Sequence, residues 1–130
     1  MSGRPPGACE SRMARRTMKL TEIIDRLSLD VFTSVSDPEA DVGGGYVGDL
    51  LSNVLASATP GSLWITIQHH ANVVAVAQVT GLAAVLIVEG KRPDDAMREQ
   101  ARTSGVVLLG STDSAFEVAG RLYDLLVTER

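Results

Sequence analysis

Four short apolar runs, at 31–35, 63–68, 83–88 and 106–109, recur along this chain with helix-length segments between them, and this alternation restricts the fold more than any other feature. The runs have strand length, and the segments between them repeat their apolar residues at three- and four-residue spacing, as helices do. Strand and helix in alternation imply parallel strands joined by helical crossovers, with helices covering the faces of the sheet. The 130 residues are 45% hydrophobic, enough for one core and too few for two. Aromatic residues make up only 4%, so Val, Leu, Ile and Ala must build that core, which suits a buried parallel sheet and does not suit a platform for stacking nucleic-acid bases. The fold read from the sequence is therefore α/β, a three-layer single domain with a small, mainly parallel sheet of about four strands flanked by helices.

The helical segments can be placed in turn. Residues 21–27 put Ile23, Ile24 and Leu27 on one face, and residues 46–58 put Val47, Leu50, Leu51, Val54, Leu55 and Ala58 at helical spacing until Thr59-Pro60-Gly61 ends the pattern. The segment 72–79 is apolar nearly all round, which predicts burial on several sides and a share for part of it, or for the neighbouring strand around Trp64, in a two-fold contact between copies of the chain. Pro93-Asp94-Asp95 starts a helix with acids where the helix dipole favours them, and Gly105 closes it. Ser114 followed by Glu117 reads as a capping box opening the last helix.

Residues 1–17 carry Arg4, Arg12, Arg15 and Arg16 against Glu10 and show no apolar run, so the sequence predicts a disordered tail and a domain spanning 18–130, with Met18 as an alternative start. The tail holds a net +3 of a total of −4, which leaves −7 on the body, and a body that acidic argues against nucleic-acid binding. Charged residues interrupt anything after Arg15-Arg16 that could serve as an export signal, and no stretch has the length and apolarity of a membrane span, so a cytoplasmic protein is expected. Cys9 is the only cysteine, which excludes a disulfide framework within the chain and a thiolate metal cluster.

The sequence Gly43-Gly44-Gly45-Tyr46-Val47-Gly48 satisfies G-x-G-x-x-G at the start of the 46–58 pattern. Three carboxylates at Asp37, Glu39 and Asp41 lie between it and the preceding apolar run, and Gln68 stands 20 positions after Gly48, where a dinucleotide site needs an acid for the ribose. Dinucleotide binding, plain glycines at a helix start, and a helix-terminal site for a smaller anion stay open as readings. Ligands of open α/β sheets sit beyond the carboxyl ends of the strands, which would gather Ser36-Asp37, His69-His70, Glu89-Gly90-Lys91 and 110–113 on one rim if all the strands are parallel. The candidate ligand contacts are Gly44, Gly45, Gly48, His69, His70, Glu89, Lys91, Ser111 and Thr112, with Arg92 beside Lys91 as a second cation for an anionic ligand. No metal site is expected: adjacent histidines point to opposite faces of an extended chain, and the Asp37, Glu39, Asp41 alternation has Val42 where a calcium loop needs glycine. No catalytic residue is expected either, because Ser111 and Ser114 have no His or acid in fixed relation and no phosphate-binding G-x-x-x-x-G-K-[ST] occurs.

The block Val88-Glu89-Gly90-Lys91-Arg92-Pro93-Asp94 with the helix after it, then Gly105-Val106-Val107-Leu108-Leu109 and Ser114-Ala115-Phe116-Glu117-Val118-Ala119, resembles the DRTGG domain family. Gly44-Gly45-Tyr46-Val47-Gly48-Asp49-Leu50-Leu51 and the segment 67–77 resemble its small stand-alone branch, found beside iron-only hydrogenases and signalling kinases. The likeness runs from Leu20 to Leu126. It implies a three-layer α/β domain related in fold to the amino-terminal domain of HPr kinase, pairing into dimers, regulatory where fused to other domains, and with no catalytic residues to carry over. The Asp-Arg pair and Thr-Gly-Gly triplet that name the family are here Gln68-His69-His70 and Val88-Glu89-Gly90, so a ligand bound through that pair elsewhere would not be bound the same way by this chain.

Residues and resemblance together lead to the expectation of a non-catalytic ligand-sensing or protein-interaction module. It would act as a homodimer without a cofactor, regulatory to a redox or signalling system, with a small anionic or nucleotide ligand. The alternative is a nucleotide- or anion-binding enzyme that uses the 43–48 loop.

Overall fold

The computed structural model describes residues 14–35 and 37–128. In chain order the elements are β1 (Ala14–Arg15), β2 (Met18–Lys19), α1 (Leu20–Arg26), β3 (Asp30–Val31), β4 (Asp41–Val42), β5 (Gly44–Val47), α2 (Leu51–Ser57), β6 (Ser62–Thr66), α3 (Asn72–Thr80), β7 (Ala84–Ile87), α4 (Asp95–Ser104), β8 (Leu108–Gly110), α5 (Ala115–Leu126) and β9 (Val127–Thr128). The main sheet has the order β3-β8-β7-β6-β5. Its four strands β5 to β8 are parallel, and β3 closes one edge antiparallel to β8.

Three layers follow from the two-residue period of the strands. Leu63 and Ile65 of β6, Leu86 of β7 and Leu109 of β8 face one core with Leu20 and Ile23 of α1 and with Val118, Leu122 and Leu126 of α5. Trp64, Val85, Ile87 and Leu108 face the other core, against Val54 of α2, Val73, Val74, Val76 and Ala77 of α3, and Met97 and Ala101 of α4. Both faces of the central strands are covered, as their unbroken apolar runs require.

The helix ends expected at α4 and α5 form. The Asp94 carboxylate caps α4 by accepting from the Met97 amide at 2.8 Å, and Gly105 ends that helix in the left-handed region at φ 77°. Ser114 and Glu117 make the reciprocal capping box of α5.

Four expectations need correction. The glycine segment does not begin a helix: Gly44–Val47 is the fifth strand of the sheet, in register with Ser62 to Ile65 of β6, and the helix is confined to Leu51–Ser57. Only the last two turns of the apolar period were helical, so Leu50 is left 67% exposed and Leu55 is exposed as well. The end of the expected tail is paired, since β1 lies antiparallel to β9 and Arg16 donates its amide to the Leu126 carbonyl at 2.8 Å and its side chain to the Leu125 carbonyl. The rest of the tail, 1–13, lies outside the described residues. Strand 31–35 is reduced to Asp30–Val31 and runs antiparallel, which sends Asp37 to the opposite end of the sheet and brings Asp30 to the carboxyl ends of the other strands. Ser36 lies outside the described residues. Finally, Trp64 and the branched residues of α3 are buried in this chain's own core, leaving only Val79 strongly exposed at 76%, so the basis for a two-fold contact through that segment is gone.

Among the described residues no helix is long and apolar enough to cross a membrane.

Candidate functional site

The parallel strands β6, β7 and β8 carry the loops after them to one rim, and backbone bonds tie these together. Glu89 donates its amide to the Asp113 carbonyl and Gly90 to the Ser111 carbonyl, both at 2.9 Å, which locks the loop after β7 to the loop after β8. Asp94 donates its amide to the His69 carbonyl, joining the loop after β6 to the start of α4. His69, His70, Glu89, Lys91, Ser111 and Thr112 therefore lie along a single rim, without the Asp37 that the sequence reading placed there. Glu89 and Gly90 both hold left-handed backbone, at φ 61° and 73°. Such a conformation is uncommon for a residue with a side chain and persists only where its surroundings fix it, here through the two amide bonds.

Within that rim the residues divide. The rings of His69 and His70 lie tilted by 38° to one another with centroids 4.4 Å apart. His69 Nδ1 lies 3.1 Å from the Ile67 carbonyl oxygen, and His70 Nδ1 lies 3.2 Å from an Asp94 carboxylate oxygen, so the pair stitches the loop after β6 to the α4 cap. The Met97 amide first, and the neighbouring His70 second, hold the Asp94 carboxyl below its ordinary value of 3.8. A depressed carboxyl pKa contributes stability above the ordinary value and loses it as pH falls through the lower folded value. Melting temperatures of the wild type and Asp94→Ala are expected to differ clearly at pH 6 and to converge as pH falls below that ordinary value. A gap that stays constant down to pH 2 would show that the capping carboxylate has no such role.

Lys91 and Thr112, with Arg92, Gly90, Ser111 and Asp30, line a notch of about 40 Å³. Phe32 walls this notch and also walls a second, open cleft of about 430 Å³ lined by Thr33, Ser34, Asp95, Arg98, Glu99 and Arg102. The guanidinium carbons of Arg92 and Arg98 both lie over the Phe32 ring, at 5.0 and 5.2 Å from its centroid. Arg102 is paired to Glu99, whereas neither Arg92, Arg98 nor Lys91 forms an ion pair among the described residues. Two guanidinium groups thus converge on one half-buried aromatic ring, with Lys91 lining the notch beside it. Arginine is the side chain whose planar fork best matches phosphate, and its weak hydration lets it stack on a ring at the same time. Phe32 and Arg98 were not singled out from sequence. The antiparallel turn of β3 puts the ring there, and no spacing rule links residue 32 to residues 92 and 98.

The glycines fall elsewhere. Gly48 donates its amide to the Ile65 carbonyl and accepts from Trp64 Nε1 at 2.8 Å, while Gly43 donates to the Gly61 carbonyl. These amides are spent on the chain's own carbonyls, and no helix begins there, so the helix-terminal anion cradle and the dinucleotide reading of this motif are both overturned. Gly44 and Gly45 line a separate cavity of about 170 Å³ with Val47, Ile65 and five residues of α5 and β9. Gly45 is glycine for packing, since a Cβ there would lie 2.9 Å from Leu122 Cδ2.

In open α/β sheets, ligands are held beyond the carboxyl ends of the parallel strands, the end at which this rim lies. Comparison with protein-family models and with curated proteins finds no match to this chain. Among solved structures, the fold is similar to the CBS and DRTGG domains of the regulatory region of Clostridium perfringens pyrophosphatase, determined in complex with its activator diadenosine tetraphosphate. The superposition gives a TM-score of 0.69 at 15% identity and covers 85% of this chain and 48% of that one. This chain thus spans about half the length of that structure, and the likeness is one of fold: a DRTGG-like α/β domain, in keeping with the sequence resemblance.

Proposed function

We propose that this chain is a non-catalytic, ligand-sensing regulatory module that works as a homodimer and takes an anionic ligand of the nucleotide class at the Phe32 rim. The observation that carries the proposal is the convergence of Arg92 and Arg98 on one aromatic ring without carboxylate partners among the described residues. A phosphate group would sit against Lys91, Arg92 and the Ser111 and Thr112 hydroxyls in the notch, and the remainder of the ligand would lie in the larger cleft on the other side of Phe32. Asp30 at the notch wall suits a ribose hydroxyl and opposes a second phosphate. The larger cleft falls within the range of ordinary ligand pockets, roughly 300–1,000 Å³.

The similarity to a regulatory region that binds a dinucleotide activator supports the ligand class. The sequence resemblance to the hydrogenase-associated branch supports a redox or signalling system in the cytoplasm as the recipient of the signal. The enzyme reading has no observation in its favour, since the 43–48 loop on which it depended is a strand.

The test is a thermal-shift panel of ATP, diadenosine tetraphosphate, adenosine and inorganic triphosphate. A ligand at 100 times its dissociation constant stabilises the folded state by about 2.7 kcal/mol. Phosphorylated nucleosides are expected to raise the melting temperature and adenosine to leave it unchanged. No shift with any phosphate-bearing probe at millimolar concentration would refute the reading.

A further inference from the structure

The outer face of α5 carries an apolar stripe that is largely exposed. Phe116 is 87% exposed, Gly120 would have open space around a side chain, and Tyr123 and Val127 continue the same face toward the helix end. Beside the stripe, Ala119, Tyr123 and Val127 join Gly44 and Val47 of β5 around the 170 Å³ cavity. An aliphatic cavity of about 150 Å³ accepts a benzene ring. One helix face therefore presents both a protruding phenyl ring and a pocket of the size that holds one.

Ring and pocket lie on opposite sides of Gly120 at similar distances. At 1.5 Å of rise per residue, Phe116 lies about 6 Å before Gly120, and Tyr123, central to the α5 lining of the cavity, lies about 4.5 Å beyond it. A two-fold axis beside Gly120 that sets two α5 helices antiparallel would bring each Phe116 over the other copy's cavity. The glycine, with no side chain to hold the helices apart, permits the close crossing. Glu117, Arg121 and Asp124 fall on the rim of that contact, with Arg121 paired to Asp113 of its own chain and Glu117 held in the capping box of α5. An isologous contact requires one patch that complements itself, and this patch does.

We infer that α5 is the homodimer interface, with a second copy of this chain as the occupant of the cavity through its Phe116 ring. The inference rests on the homodimer reading above and names its surface. Sedimentation velocity of the full chain from 1 to 100 µM tests it, with Phe116→Ala and Gly120→Glu as interface variants and Val79→Ala as an exposed apolar control on the opposite layer. The wild type and the control are expected to sediment as dimers, and each interface variant to weaken association at least tenfold, with thermal melting confirming that all are folded. A monomeric wild type at 100 µM would overturn the homodimer reading itself. A dimer that both interface variants leave intact would overturn the α5 surface alone.

Discussion

Alanine at position 110 is expected to dismantle the Phe32 rim while leaving the sheet in place. An added Cβ there would lie 2.5 and 2.6 Å from Phe32 Cε2 and Cζ, closer than carbon atoms can approach. Gly110 lies at the end of β8, paired with Asp30 of β3, and its backbone is not left-handed, so the conflict is with the ring and not with the main chain. The ring is at the far end of a half-buried side chain and would swing outward, taking with it the surface on which Arg92 and Arg98 lie. Overpacking costs about 1–3 kcal/mol, and the relief available to an edge side chain places this case at the lower end. The larger effect is on binding: nucleotide affinity is expected to fall at least tenfold, about 1.4 kcal/mol. Phe32→Ala tests the route, because Gly110→Ala added to it should then cost little more, as coupled residues do. Two full and additive losses would show that glycine and ring act independently.

Replacing Trp64 with alanine is expected to be the most damaging single change in the body of the fold. Trp64 is fully buried at the centre of β6, in the core shared with α2, α3 and α4, and its indole N–H is the donor that satisfies the Gly48 carbonyl. Truncation of a buried aromatic residue costs about 3–5 kcal/mol, against a total stability of about 5–15 kcal/mol for a typical domain. Trp64→Phe keeps most of the packing and removes only the donor, so a loss of about 1–3 kcal/mol for the unsatisfied carbonyl is expected. Urea unfolding of the three proteins should rank them wild type, Phe, Ala. Equal losses for Phe and Ala would mean that the hydrogen bond to Gly48 accounts for the whole loss and the packing for none of it.

The central strands, α4 and α5 were legible because local signals agreed with the tertiary outcome: continuous aliphatic runs at β6 and β7, Asp94 and Ser114 as caps, and Gly105 as a stop. Strand β5 was not. Its two glycines have little intrinsic preference for a strand, and Tyr46 and Val47, which do prefer one, open a helical apolar period; what makes the segment a strand is the open edge of β6, together with the need for a residue without a side chain beneath Leu122. The direction of β3 was equally silent, since two residues carry no information on whether they run with or against β8. The rim was half legible for that reason. Residues 69–70, 89–92 and 111–112 follow from the rule that parallel strands end together. Phe32, which organises the cations, depends on the one strand that runs the other way.

The most direct test of the account is calorimetric titration of ATP into the wild type and into an Arg92→Ala/Arg98→Ala variant. Both arginines are at the surface or partly so, and neither forms an ion pair among the described residues, so the variant is expected to melt within a degree or two of the wild type. Loss of two charged contacts to phosphate, each worth about 1.5–3 kcal/mol, predicts an affinity at least 100-fold weaker in the variant. Equal affinities in the two proteins, or no binding of ATP to either, would contradict the assignment of the Phe32 rim as a nucleotide site.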